Sequence, residues 1–338
     1  MVFEVRDIER KTIAILKVLR DSPESLGARA IATRLRGQGI ELSERGVRYH
    51  LRLMDGRGFT RLVGMRDGRV LTEWGAKEVS NALVGDKVGL AVSRIEQLAF
   101  RTTLDADRGA GLIPVNVSLF PKAGFRPAID AMRPAFAAGV CMSDRVAIAR
   151  AGETLGEITV PESRIGLATV CSVAVNGALL KNGVPMSSRF SAVLQIRDAR
   201  PLRFVELIEY AGCSLDPSEV FVRAQMTSVN EVARTGQGRV LATFREIPSI
   251  CRATADEVMI KLKNVGVGGL MAIGAGGSTL CGMRVEPSQV GVVLVNGLNP
   301  VAAAAEAGFE AENYGMCTVM EYADLVKFSE LALDKVIA

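Results

Sequence analysis

The sequence predicts an α+β/α/β chain, an N-terminal winged helix-turn-helix followed by an internally duplicated α/β body. Three observations carry that expectation. The first quarter holds three short amphipathic helical patterns and then two strand-like runs around an Asp-Gly turn. Over the remainder, a series of landmarks recurs about 125 residues apart. The chain has 338 residues, 49% apolar and 23% charged, which is apolar surface enough for two or three domains.

From Asp7 onward, Ile8, Thr12, Ile15, Leu16 and Leu19 recur at helical spacing, and Ser22-Pro23 ends the helix. A second helix over 27–36 turns Ala28, Ile31, Ala32 and Leu35 inward and closes at Gly37 and Gly39. Ser43 is placed to cap a third helix running to about Arg57, with Val47, Leu51 and Met54 inward. Runs 60–63 and 70–72 then read as hairpin strands around Arg66-Asp-Gly-Arg. Residues 1–75 are therefore assigned to the winged-helix domain.

Charge supports a nucleic-acid role for this domain. Residues 1–75 carry 15 Lys and Arg against 10 Asp and Glu, so the excess exceeds the net charge of +4 for the whole chain. Nearly all of it is arginine, the residue suited to bidentate contacts with phosphate and guanine. With the third helix buried along Val47, Leu51 and Met54, its open side presents Glu44, Arg45, Arg48, Tyr49 and Arg52. Long donors near the start of a recognition helix reach base edges, and further cations reach phosphates. Arg66 and Arg69 on the wing are placed to contact backbone or minor groove beside it. Candidate DNA-binding residues are thus Arg45, Arg48, Tyr49, Arg52, Arg66 and Arg69. His50 adjoins the core face and reads as a packing residue.

Residues 76–105 read as one connecting helix with an apolar stripe of Val79, Leu83, Val88, Val92, Ile95 and Leu98, a candidate dimer interface. Residues 106–338 form the body, with two related halves at about 110–185 and 238–325. Each opens on a strand ending in proline, at Pro121 and Pro248, followed by a helical segment. Ile148 and Ile273, then Gly166 and Gly291, continue the match, and Asn176-Gly177 aligns with Asn296-Gly297. Between the copies, 191–196 and 220–224 read as further strands. Paired α/β halves create a cleft suited to a small molecule. Lys181, Arg189 and Arg245 are the candidate cations for an acidic ligand, and backbone N–H groups near Gly276 and Gly277 a candidate anion nest.

Other chemistry is poorly supplied. There is one histidine, no Gly-x-x-x-x-Gly-Lys-Ser/Thr run and no Cys-x-x-Cys pair, so no catalytic, cofactor or metal residue is assigned. The six scattered cysteines read as reduced thiols in apolar settings. Neither a signal peptide nor an apolar run near 20 residues appears, which points to a cytoplasmic chain that meets no membrane.

Several stretches together make the chain resemble the NrpR-type nitrogen-regulation repressors. They include the winged-helix core from Ser43 to Met54 and, in the body, Val170-Cys-Ser-Val, Ser188-Arg-Phe, Ser214-Leu-Asp-Pro, Met226-Thr-Ser-Val, Phe244-Arg-Glu-Ile-Pro and Gly297-Leu-Asn-Pro. The resemblance implies a homodimeric transcriptional repressor, not an enzyme. Its partners would be a double-stranded DNA operator of nitrogen-assimilation genes and a small dicarboxylate effector, 2-oxoglutarate, that releases it. Some members carry two effector domains in tandem, where this chain has one. Two alternatives remain at this level: an enzyme whose α/β body is fused to a winged helix, and a winged-helix RNA-binding protein.

Overall fold

Apolar residues at helical spacing close the first core. The computed structural model describes residues 2–22, 24–37, 39–64, 68–81 and 89–331, in two units, Met1–Lys87 and Val88–Ala338. In the first unit, α1 (Val2–Arg20), α2 (Ala28–Gly37) and α3 (Glu44–Gly56) precede β1 (Thr60–Gly64), β2 (Gly68–Leu71) and α4 (Glu73–Asn81). Ile15, Leu16, Ile31, Leu35, Val47, Leu51 and Met54 are buried together. Each such side chain contributes roughly 1.5–3 kcal/mol by leaving water. Leu26 pairs with Arg69 through two backbone hydrogen bonds of 3.0 Å, which adds a short third edge to the wing. Gly68 permits that approach. Its φ is +82°, and a Cβ there would lie 2.4 Å from the Leu26 carbonyl carbon.

Among the described residues, the single helix expected over 76–105 is two elements. α4 ends at Asn81, and α5 (Leu90–Arg101) begins after Gly89, whose φ of +80° interrupts helical geometry. Leu83 and Val88 of the expected stripe lie outside the described residues. The rest of the stripe is spent within each unit. Val79 joins the winged-helix core, while Ile95 and Leu98 pack on Cys171, Val173, Tyr210 and Met316 of the body. Thr102 is extended and ends the helix, and Thr103 and Leu104 both donate to the Leu112 carbonyl. The apolar face of α5 is therefore not free to form a dimer seam.

The second unit contains the duplication. Its first copy runs β3 (Leu112–Pro121), α6 (Phe125–Ala137), β4 (Arg145–Ala149), β5 (Thr154–Leu155), β6 (Ile158–Thr159), β7 (Arg164–Val170), α7 (Val173–Lys181) and β8 (Ser187–Arg197). Then come β9 (Arg200–Glu209), α8 (Pro217–Arg223) and α9 (Val229–Thr235). The second copy is β10 (Gly238–Pro248), α10 (Arg252–Asn264), β11 (Leu270–Ile273), β12 (Gln289–Val295), α11 (Asn299–Glu306) and β13 (Glu312–Glu321), with β14 (Val326–Lys327) after it. Starts of corresponding elements are 125 to 127 residues apart.

The two sheets are ordered β13-β3-β7-β4-β14 and β11-β12-β10-β8-β9, and all their pairings are antiparallel. Each copy has therefore given its last strand to the other. β8 lies beside β10, and β13 lies beside β3. This moves the first half's boundary from about 185 to 197, and makes β8 part of a copy rather than a strand between copies. Two other expectations also change. The 220–224 segment is largely helical, within α8, because Asp216 caps it by accepting from the Ser218 N–H at 2.9 Å. Asn296 directly follows β12, whereas Asn176 lies inside α7, so these two asparagines are not counterparts. Two buried clusters, one built on α6 and α11 and one on α7 and α10, each draw on both sheets.

Candidate functional site

The open face of α3 carries Arg45, Arg48, Tyr49 and Arg52, all exposed, while Val47, Leu51 and Met54 are fully buried. Ser43 caps the helix by accepting from the Gly46 N–H at 3.1 Å. Arg48 is held by Glu44 one turn earlier in an exposed ion pair. Tyr49 is 55% exposed and meets the His50 ring edge-on at 5.6 Å. His50 itself is buried, with Nδ1 3.3 Å from the Thr12 hydroxyl. Of the wing cations, Arg66 lies outside the described residues. Arg69 is half-buried against Asp55, with both carboxylate oxygens in hydrogen-bonding range, and so does not extend toward a phosphate. Arg61 on β1 is exposed, a cation that no pattern in the sequence singles out.

In the body, strand exchange brings polar groups from both copies into one buried cluster. Arg245 on β10 is wholly buried. Its guanidinium donates to the Ser172 hydroxyl at 2.7 Å, the Ser172 carbonyl at 3.2 Å and the Thr243 hydroxyl at 3.2 Å. Among the described residues, none of its hydrogen-bond partners is a carboxylate. Burial lowers its pKa from the ordinary arginine value, and burial likewise raises that of nearby Asp216. Ser218 links this region to both copies, with the Ser191 hydroxyl at 2.8 Å and the Asn296 amide donating to it at 2.6 Å. Glu219 accepts the Gly315 N–H of exchanged strand β13 at 2.6 Å.

Residues 88–327 match the family described as NrpR regulatory domains NRD1 and 2, and residues 13–79 match the ribonuclease R winged-helix domain. A protein named global nitrogen regulator NrpRI, from Methanosarcina mazei, is 41% identical over 315 residues, 93% of this chain and 97% of that protein. The chain belongs to the NrpR family.

Proteins named global nitrogen regulator NrpR from Methanocaldococcus jannaschii and Methanococcus maripaludis are 29% and 28% identical over 96% and 89% of this chain. The chain spans 56% and 52% of their length. A crystal structure of a nitrogen repressor-like protein from Methanococcus jannaschii matches with a TM-score of 0.59 and 30% identity, over 71% of this chain and 98% of that one. The NrpR relatives are regulators, and this chain is a regulator rather than an enzyme fused to a winged helix. Burial pushes the Cys141, Cys171 and Cys317 thiols up to about 12. No described helix is long and apolar enough to cross a membrane.

The five residues expected to form one NrpR effector site are not together. Arg189 is the bulged residue opposite the Phe244–Arg245 step, and it pairs with Glu246 at 3.7 Å. Strand alternation puts Glu246 on the opposite face from Arg245, so the two arginines diverge. Lys181 caps the far end of α5, donating to the Phe100 carbonyl at 3.1 Å with its ammonium 5.1 Å from the Phe100 ring. The Gly277 N–H is already given to the Gln289 carbonyl, and Gly276 abuts Ser249 and Pro287. Arg245 alone sits among buried polar groups from both copies. The partners missed in the sequence, Ser172, Ser188 and Asp216, lie within Val170-Cys-Ser-Val, Ser188-Arg-Phe and Ser214-Leu-Asp-Pro. Those motifs and Phe244-Arg245 converge in space, which was the available signal.

Proposed function

We propose that this chain is a DNA-binding repressor of nitrogen-assimilation genes, acting as a homodimer and released from its operator by a small dicarboxylate, 2-oxoglutarate. The observation that carries the DNA reading is the exposed face of α3, where Arg45, Arg48, Tyr49 and Arg52 stand clear of a buried core. Arg48 is the candidate base reader, and Arg45, Arg52 and Arg61 supply phosphate contacts. One winged helix covers too few base pairs to be selective among genomic sites, which favours two copies on a two-fold operator. With the face of α5 buried in its own unit, the dimer seam lies on another surface. Of the expected effector residues, Arg245 remains the candidate for an anionic end.

The ribonuclease R winged-helix match favours a second reading, in which the same unit binds RNA. Fluorescence anisotropy separates the two. A labelled duplex from upstream of a nitrogen-assimilation gene should be displaced by the same unlabelled duplex and weakly by RNA. Adding 2-oxoglutarate should lower operator affinity. Equal competition by unrelated RNA would overturn the repressor reading.

A further inference from the structure

The far end of β8 and the strands beside it gather four arginines on one face. β8 pairs with β10 on one side and β9 on the other. Arg239, Gln195 and Arg203 therefore stand in one cross-strand row, and Arg197 and Arg200 oppose each other in the next. Side chains two apart on a strand share a face, which puts Arg197 beside Gln195. All four arginines are exposed, while Ile196 and Val240, at the alternate positions, are buried. Arg203 donates to the Gln195 amide oxygen at 3.0 Å. Among the described residues, none of the four forms an ion pair. Asp198, the carboxylate of the turn between them, accepts from the Gln237 amide at 2.7 Å.

The fold does not call for this charge. Outside the first 75 residues, acidic side chains slightly outnumber basic ones. β3 and β13, the counterparts of β10 and β8 in the other sheet, contain no Lys or Arg. Like charges directly opposite each other destabilise a strand pair, and Arg197 opposite Arg200 is such a pair. Asp198 and Ala199 join them with φ of +52° and +58°, suited to a two-residue hairpin turn but costly for alanine. The Ala199 N–H pins that turn by donating to the Gly236 carbonyl at 3.0 Å. Repulsion and strain are thus kept together at one exposed tip, as at sites where a partner offsets them.

We propose that this face of β8, β9 and β10 binds the phosphate backbone of duplex DNA beside the stretch read by α3. This rests on the DNA-binding reading given above. Strands lie about 4.8 Å apart and alternate residues about 6.7 Å apart, so the face covers roughly 10 Å by 7 Å. A small anion is held by donors that converge in a concave site, whereas arginines spread over an open face suit a row of phosphates. Contacts of this kind add affinity without reading sequence. Because the face belongs to the same chain as α3, it meets flanking duplex at high effective concentration, and weak contacts suffice.

Anisotropy on the full chain with two labelled duplexes from upstream of a nitrogen-assimilation gene tests this. One is cut to the shortest length that binds selectively, and the other extends it by about two helical turns, roughly 20 bp, on each side. The parent's log affinity should fall more steeply with log salt on the long duplex. Arg197→Gln, Arg200→Gln, Arg203→Gln and Arg239→Gln together should remove that difference. The slope drops by about 0.9 for each phosphate lost, and the short duplex is unaffected. Arg197→Lys, Arg200→Lys, Arg203→Lys and Arg239→Lys together should keep the parent's slope, because the charge is retained. Circular dichroism matching the parent shows that a variant is folded. Should the fourfold glutamine variant not fold, Arg197→Gln with Arg200→Gln, at the tip, should remove about half of the difference. A folded glutamine variant with the parent's slope on the long duplex overturns the proposal and leaves the face to an acidic protein, while the DNA-binding reading stands. A parent that favours neither duplex over unrelated RNA overturns the DNA-binding reading, and this face with it.

Discussion

Arg69 Nε lies 2.8 and 3.1 Å from the two carboxylate oxygens of Asp55, pinning the base of the wing to the last turn of α3. Asp55 also accepts from the Thr60 hydroxyl at 2.6 Å, at the start of β1. A residue that reads in sequence as a phosphate ligand is thereby a strut. Asp55→Ala and Arg69→Ala should each destabilise the winged-helix unit by about 1–2 kcal/mol, the range for a half-buried charge-assisted bond. Trp74, the only tryptophan, lies on α4 and reports on this unit by fluorescence during urea unfolding. The salt dependence of operator binding should be unchanged in Arg69→Ala, since that side chain neutralises Asp55 and not a phosphate.

Arg48 must leave Glu44 to reach a base edge. Arg48→Ala should cost about 1–3 kcal/mol of operator affinity and relax sequence preference. Replacing Arg45, Arg48 and Arg52 together should abolish selective binding. It should also lower the slope of log affinity against log salt by about one for each phosphate no longer neutralised. Anisotropy titrations at several salt concentrations check both. An intact affinity in the triple variant removes α3 from the interface.

Glu219 gives the body a pH dependence of defined sign. Burial raises its pKa from 4.5 to about 7, outweighing the Gly315 N–H that favours the charged form. The folded state therefore holds a proton that the unfolded chain has released, and stability falls as pH rises from about 4.5 to about 7, then levels. Because Glu219 is partly open to solvent, the contribution is on the order of 1 kcal/mol. Thermal unfolding of parent and Glu219→Gln between pH 5 and 8 should show the parent's midpoint falling more steeply with pH than the variant's.

Gly297 begins the turn into α11, where a Cβ would lie 2.0 Å from the Val170 carbonyl oxygen and 2.7 Å from the Asn116 amide. The first of those is backbone and has no rotamer to yield. Gly297→Ala should destabilise the second unit by more than about 2 kcal/mol, in the range of overpacked cores. Gly124→Ala, where nothing lies within 4 Å, is the matched control. Circular dichroism melts compare them.

Elements set by local pattern were legible in the sequence. The first three helices of the first unit, the Ser43 cap and the burial of His50 follow from spacing and side-chain chemistry alone. The duplication was legible too, because corresponding elements keep one offset. Its strand exchange was not: β8 reads the same whether it pairs with β3 or with β10. The break at Gly89 was hidden because an isolated glycine fits a helical pattern at modest cost. Arg189 and Arg245 look equivalent as cations in compact motifs. What separates them is one residue of bulge and the alternation of faces along a strand, which composition does not encode. Ser172 carries no signal of its own, because short polar residues at a helix start are common.

The Ser118 hydroxyl and the Asn313 amide oxygen, 2.7 Å apart, are 195 residues apart along the chain. During synthesis β3 emerges long before β13, and β8 before β10. Both nascent sheets therefore wait, with an open edge, for a strand that the ribosome has yet to deliver. At about 5–20 residues per second that wait lasts on the order of ten seconds or more for β3, ample time for an unpaired edge to find the wrong neighbour. Neither repeat is a module that can be excised and expressed alone, since a chain stopped after α7 lacks the outer partner of β3, and one begun at β10 lacks β8. Translation speed through 200–310 thus becomes a determinant of how much active regulator a cell recovers.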